Sequence, residues 1–356
     1  MRRLYFSLLI IAILAFITCT SQPETYTVET IGGVRHVHNI TPLWGDEQKI
    51  ELEFVQKIGE LETEDENYQL YQPQDVALDS EGNVYILDKG NFRIQKYDRN
   101  GKFILSFGKK GQGPGEFSIA YQIIVSPEDE IYVFDIRLSH GYHVFNKNGE
   151  YRRIFNRDNL NFNIEAILMS GNYTVSDANP DSEALIKIVD QYLNTIKEIG
   201  KKRLYDTASK IRAMNSYALS LTDDHCFFIA YVMKNLIEKY SPEGRHILSF
   251  DRSLPYEETE DSYPIEGGDL TRNLFSTSIQ TDHRNRVWIT TLKDQLKRGE
   301  PGNLMFEIFN EDGVLLTRMD NELLAARTVF KIYDDRLFIV DTHIGHCVYE
   351  YRIVEK

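Results

Sequence analysis

The sequence predicts an all-β chain, a six-bladed β-propeller of four-stranded blades whose ring is closed by an N-terminal strand. Three observations carry this. A turn motif recurs along the chain, a strand–turn–strand hairpin stands before each copy, and the last unit is one strand short while a spare strand stands before the first. The motif is an aromatic residue, three turn-forming residues, a glycine and then an apolar strand. It reads Tyr97-Asp-Arg-Asn-Gly101, Phe145-Asn-Lys-Asn-Gly149, Tyr240-Ser-Pro-Glu-Gly244 and Phe309-Asn-Glu-Asp-Gly313, with a degenerate copy at Tyr192-Leu-Asn194. A period of roughly 40–50 residues with four short strands per unit is a propeller signature.

Residues 1–18 precede the fold. Arg2 and Arg3 are followed by an apolar run from Leu8 to Ile17, which suits a secretory leader and is short for a membrane span. The run ends at Phe16-Ile17-Thr18-Cys19, so the boundary resembles a bacterial lipobox, with Cys19 as the expected lipidation site. Residues 19–49 then read as a lipid-anchored tether and lead-in, and residues 50–356 as the propeller. The expected address is the cell envelope, at the periplasmic face or the outer-membrane surface.

The units follow in order. Each has an apolar second strand, centred on Tyr85, Tyr132, Tyr173, Phe227, Trp288 and Phe338. These strands are rich in β-branched and aromatic residues and bounded by polar turns. Glycine ends the recurrent turn because a positive φ costs it no steric penalty. The strand after the turn also repeats: Ile104-Leu-Ser-Phe107-Gly108, Ile196-Lys-Glu-Ile199-Gly200, Ile247-Leu-Ser-Phe250. The sixth unit stops after three strands, and Val55-Gln-Lys-Ile58-Gly59 matches the missing one. Residues 51–58 are therefore expected to complete the last blade and remove an open edge. The connections near 203–214, 252–276 and 292–303 break the period and read as added loops, the acidic-aromatic run Tyr256–Tyr263 among them.

The chain carries 40 Lys and Arg against 54 Asp and Glu, a net charge of −14, which argues against nucleic acid as a partner. Loss of the leader removes two arginines and no acid, making the mature chain more negative still. Three cysteines exclude a disulfide scaffold, and Cys226 and Cys347 fall in apolar strand patterns that suit buried thiols.

In the first unit Pro73-Gln-Asp-Val-Ala-Leu-Asp79, Gly82-Asn-Val-Tyr85, Asp88…Asn91-Phe-Arg93-Ile-Gln95 and Tyr97…Gly101 together resemble the NHL repeat, as does the linker Gly108–Phe117. Asp75 stands where that repeat usually has glycine. With the leader, the whole resembles the six-bladed propeller lipoproteins of Bacteroidetes-type bacteria, mostly of unassigned function. The resemblance implies that the turns between second and third strands line one rim of the central channel. That rim would carry Lys89, Asn91 and Arg93 from the first unit, Arg137, His140 and His143 from the second, and His343 and His346 from the last. Arg93, Asn91, Arg137, His140, His343 and His346 form the candidate ligand rim, since arginine forks suit carboxylate, phosphate or sugar-acid groups. Asp75 and Glu165, near the starts of the first and third inner strands, are expected at the channel mouth.

The function expected is a monomeric, lipid-anchored binding module for a glycan, a peptide or an envelope protein, touching the membrane through its anchor alone. No catalytic residue, metal ligand or cofactor is assigned. The alternatives are a zinc- or calcium-dependent lyase or hydrolase working in the channel, which needs three convergent ligands, and a structural subunit of an envelope complex. No nucleophile elbow, P-loop or dinucleotide fingerprint is present.

Overall fold

In the computed structural model the described residues are 24–136, 141–156, 164–167, 170–176, 182–254, 276, 278–294, 302–325 and 328–356. Six sheets, each built on four antiparallel strands, follow one another along the chain. Their second strands are Val84–Asp88, Ile131–Asp135, Tyr173–Ser176, Phe227–Tyr231, Val287–Leu292 and Arg336–Asp341. All six centres expected from the sequence fall within these strands. The innermost strands are Pro73–Leu78, Ala120–Val125, Ile164–Ile167, Tyr217–Leu221, Ser278–Thr281 and Val329–Tyr333. Inner strands of neighbouring blades pack side by side from blade 1 to blade 3 and from blade 4 to blade 6, and the sixth packs against the first. The cores lie between blades; Phe107 of blade 1 joins Ile131, Val133 and Phe145 of blade 2.

The repeated turn is a side-chain-capped hairpin. The residue after the aromatic accepts hydrogen bonds from backbone amides further round the turn, as Asp98 Oδ1 does from Asn100 (2.8 Å) and Lys102 (2.9 Å). Asn146 and Asn310 act in the same way, as does Asp190 of the degenerate copy, which follows Val189 in place of the aromatic. This is why Asx residues recur there. In the degenerate copy Leu193 occupies the glycine's place at φ 68°. At Gly149 a side chain would also meet the ring of Phe107, with an added Cβ at 2.8 Å.

Strand Ile50–Ile58 lies antiparallel to the last strand, Cys347–Glu355, pairing Ile58 with Val348 and Ile50 with Glu355. The N-terminal strand is thus the fourth strand of the sixth sheet.

The segment before it holds structure that the sequence pattern did not suggest. Tyr26–Ile31 and Val34–Asn39 form a hairpin whose second strand runs parallel to His246–Asp251, the outer strand of blade 4, making a six-stranded sheet. The backbone then follows blade 5, where Leu43 N and Trp44 N donate to Leu315 O and Leu316 O. The lead-in is a strap that passes over blade 4 and blade 5 before its continuation closes blade 6. A short helix, Ala208–Met214, capped by Thr207, occupies the connection between the third and fourth blades. The run Tyr256–Tyr263 and the residues 1–23, Cys19 included, lie outside the described residues.

Candidate functional site

An innermost strand has a partner on one side only, so its other edge presents N–H and C=O groups to the channel. Buried backbone groups of this kind need partners. Polar side chains of the inner strands supply several of them across blade boundaries. Asp75 accepts from its neighbour Val76 N at 2.9 Å and from Ile123 N of blade 2 at 3.1 Å. Gln280 Oε1 accepts from Ile332 N of blade 6 at 3.4 Å, and Thr281 donates to Leu221 O of blade 4 at 2.7 Å. Tyr333 closes the series by donating to Val76 O of blade 1 at 3.2 Å. Asp75, unusual at its place in the repeat, is therefore a bridge between two inner strands.

A cavity of about 540 Å³ occupies the channel, and all six inner strands contribute to its wall. Glu165 from blade 3 and Lys331 from blade 6 line it, with Gln122, Ser220 and Gln280 between them. Asp223, Asp282, His283 and Asp334, on the turns after the inner strands of blades 4 to 6, line one side of its mouth. Asp282 is committed to the fold, accepting from Arg286 Nε at 2.7 Å and Trp288 Nε1 at 2.9 Å.

Lys331 Nζ stands 3.7 Å from Asp75 Oδ1, beyond good hydrogen-bond distance. Burial raises the pKa of Asp75, opposed by the charge of Lys331 and by the two amides. Burial likewise raises that of Glu165, opposed by a hydrogen bond from Ser176 and by Lys331. Desolvation disfavours the charged carboxylate, and the cation restores part of what is lost. Sequence reasoning named Asp75 and Glu165 but missed Lys331. The available signal was a single charge in an otherwise apolar and aromatic inner strand, Val-Phe-Lys-Ile-Tyr.

The candidate rim fares differently. Asp88, buried at the end of the second strand, accepts from Tyr71 N (2.8 Å), Asn91 Nδ2 (2.9 Å) and Arg93 Nε (2.9 Å). Arg93 also donates to Gln69 O at 2.6 Å. Asn91 and Arg93 thus hold the turn and the approach to the inner strand together. His346, mostly buried at φ 47°, accepts from Gln72 N through Nδ1 at 3.0 Å and packs on Tyr71. His343 is exposed on the last blade's turn. Arg137 and His140 lie outside the described residues. His143 is not a turn residue: it lies on the third strand, Gly141–Phe145, fully buried beside Phe117 and Tyr151. Burial lowers its pKa, since desolvation disfavours the charged imidazolium. Cys226 and Cys347 are buried free thiols, as the strand pattern suggested. Among the described residues no three His, Cys, Asp or Glu side chains converge to hold a metal ion.

The model of the NHL repeat matches residues 70–97, the first blade's inner three strands. One blade of the six-bladed propeller thus matches the NHL repeat. Over 88 residues, 24% of the chain, it is 26% identical to the protein brain tumor of Drosophila melanogaster, of whose length it spans 8%. Two solved structures share the fold across most of its length. A member of the duf4221 family from Bacteroides vulgatus is 12% identical, with a TM-score of 0.59 over 86% of this chain and 99% of that one. A Bacteroides fragilis protein described as exported is 13% identical, with a TM-score of 0.57 over 86% of this chain and 95% of that one. The PQQ-bound aldose sugar dehydrogenase of Streptomyces coelicolor, 12% identical, has a TM-score of 0.51 over 86% and 99% of the two chains. These likenesses concern the fold; chemistry on a propeller is set by the residues in its channel and on its turns.

Proposed function

We propose that this protein is an exported binding module whose ligand site is the central channel. The observation that carries the reading is the six-walled polar cavity, in which Lys331 and Glu165 stand among groups that the strand edges have taken up. Its volume, about 540 Å³, falls in the range of small-molecule sites. Glycan, peptide and protein partners all remain compatible with the turn face around it, but the part that enters the channel is small and polar. The rim arginine, Arg93, is not the ligand clamp in this reading, because its Nε and Nη2 are engaged with Asp88 and Gln69.

Export and anchoring through Cys19 belong to the same proposal, resting on the leader and the lipobox-like boundary. Among the described residues no helix is long and apolar enough to cross a membrane. Two experiments test the proposal. Saturation-transfer NMR against a mixture of sugars, amino acids and short peptides should give signals with the wild-type chain that vanish in Leu221→Trp, which fills the channel. Signals that persist unchanged in the plugged variant place binding elsewhere. Cys19→Ala should move the protein from the membrane fraction to the soluble one, and an unchanged partition removes the anchor.

A further inference from the structure

The charges of the channel have a polarity that narrows the ligand. Lys331 is the one lysine or arginine among the described lining residues. It projects from blade 6, and Glu165 projects from blade 3, which stands opposite in a ring of six. Lys331 makes a single described ion pair, at 3.7 Å, with Asp75. Both oxygens of Asp75 already accept backbone amides. The ammonium of Lys331 therefore keeps donors to offer, and Glu165 keeps acceptor capacity beyond the hydrogen bond from Ser176. The mouth adds Asp223 and Asp334, so the entrance is negative while the wall inside carries one cation facing one anion.

Such a site discriminates by charge. A polyanion meets the acidic mouth, and an ion of either sign finds one wall favourable and the other opposed. A neutral sugar displaces the water on both charges and returns no opposite charge, leaving Lys331 with Asp75 alone at 3.7 Å and Glu165 with Ser176. A molecule with a carboxylate at one end and an ammonium at the other matches both walls and carries no net charge past the mouth. We propose that the channel receives a small zwitterion, an amino acid or short peptide, with its carboxylate on Lys331 and its ammonium on Glu165. This rests on the channel being the ligand site and specifies what enters it. The free ends of such ligands are strong charge-assisted partners, and capture of a terminal amine or carboxylate is a recurrent mode of peptide recognition.

The test uses the full chain and four probes: alanyl-alanine, its N-acetyl form, its C-terminal amide, and glucose. Isothermal titration should give saturable binding of alanyl-alanine, with each blocked form at least tenfold weaker and glucose inert. Glu165→Gln should abolish the difference between the free and N-acetylated peptides. Lys331→Gln should abolish that between the acid and the amide. The blocked peptides probe the wild-type protein, so the result stands even where a variant folds poorly. Equal binding of free and blocked peptides overturns the zwitterion, as does no binding of any peptide. Glucose binding that is lost in Leu221→Trp overturns the zwitterion and leaves the channel as the site. Alanyl-alanine binding that survives in Leu221→Trp overturns the channel reading itself.

Discussion

Asn39 should be a point at which the strap can be unfastened from the ring by one substitution. It ends the second strand of the N-terminal hairpin and is buried at 4% exposure. Its Nδ2 donates to Asp251 O at 2.7 Å and to Gly313 O at 2.9 Å, and its Oδ1 accepts from Leu315 N at 2.7 Å. One amide thus satisfies three backbone groups on two blades. In Asn39→Ala the two carbonyls each lose a bond worth about 1 kcal/mol, and the buried N–H of Leu315 is left at a cost of about 1–3 kcal/mol. The expected loss is about 3–5 kcal/mol, a factor of roughly 100 or more in the folded-to-unfolded ratio at 1.4 kcal/mol per tenfold. Asn39→Asp should be no better, since it keeps the acceptor for Leu315 but turns a carboxylate towards two carbonyls. Urea unfolding followed by fluorescence is suited to the measurement, because one tryptophan, Trp44, rides on the strap and the other, Trp288, is buried in blade 5. In Trp288→Phe, early movement of Trp44 would mark release of the strap ahead of the blades. A stability within 0.5 kcal/mol of wild type for Asn39→Ala would refute the reasoning.

Three further outcomes follow from the same geometry. Arg93→Ala should lower stability by about 1–3 kcal/mol, since it strips a charged partner from buried Asp88, and should leave ligand affinity in the channel unchanged; a lost affinity at unchanged melting temperature would restore the rim as the site. Gly149→Ala should cost about 1–3 kcal/mol through its φ of 76° and the 2.8 Å approach to Phe107, and denaturation at the wild-type midpoint would contradict this. His38, bonded through Nδ1 to Asp251 at 2.6 Å and through Nε2 to Glu29 at 3.0 Å, has its pKa raised above the usual 6.5 by those two carboxylates. A raised folded-state value means that the bonus is present in full below pH 6.5 and lost as pH rises through the folded value. Because the pair is partly exposed, His38→Gln should lower stability at pH 5.5 by under about 1 kcal/mol and change little at pH 9; a larger loss at pH 9 would reverse the assignment.

The propeller was legible because each blade repeats a local physical solution: an Asx-capped turn, a glycine at positive φ and an apolar second strand. Even the degenerate third unit kept enough of the pattern to place Tyr173 in its strand. The hairpin at residues 26–39 was not legible, because its strand Tyr26–Ile31 is largely exposed and pairs by backbone, leaving no alternating apolar face to read. The described rim residues illustrate a related point. The histidine and arginine types suited a ligand, but sequence carries no record of which polar atoms the fold has already used. Asp88 has accepted Asn91 and Arg93, and the core of blade 2 has taken His143.

That accounting also decides which channel residues are left for a ligand. An inner strand edge facing a channel must be capped, so polar residues on inner strands are demanded by the architecture before any function is added. Asp75, Gln280, Thr281 and Tyr333 each answer to an amide or a carbonyl of a neighbouring strand. Removing them from the set of candidates leaves Lys331 and Glu165, two charges that close no strand edge and are only partly engaged, Lys331 with Asp75 at 3.7 Å and Glu165 with Ser176. Buried or half-buried charges of that kind carry a cost unless something pairs them, and the two stand on opposite walls of a cavity large enough to admit what would. A pair of charges that the fold engages only in part is the feature of this channel that points outside the chain.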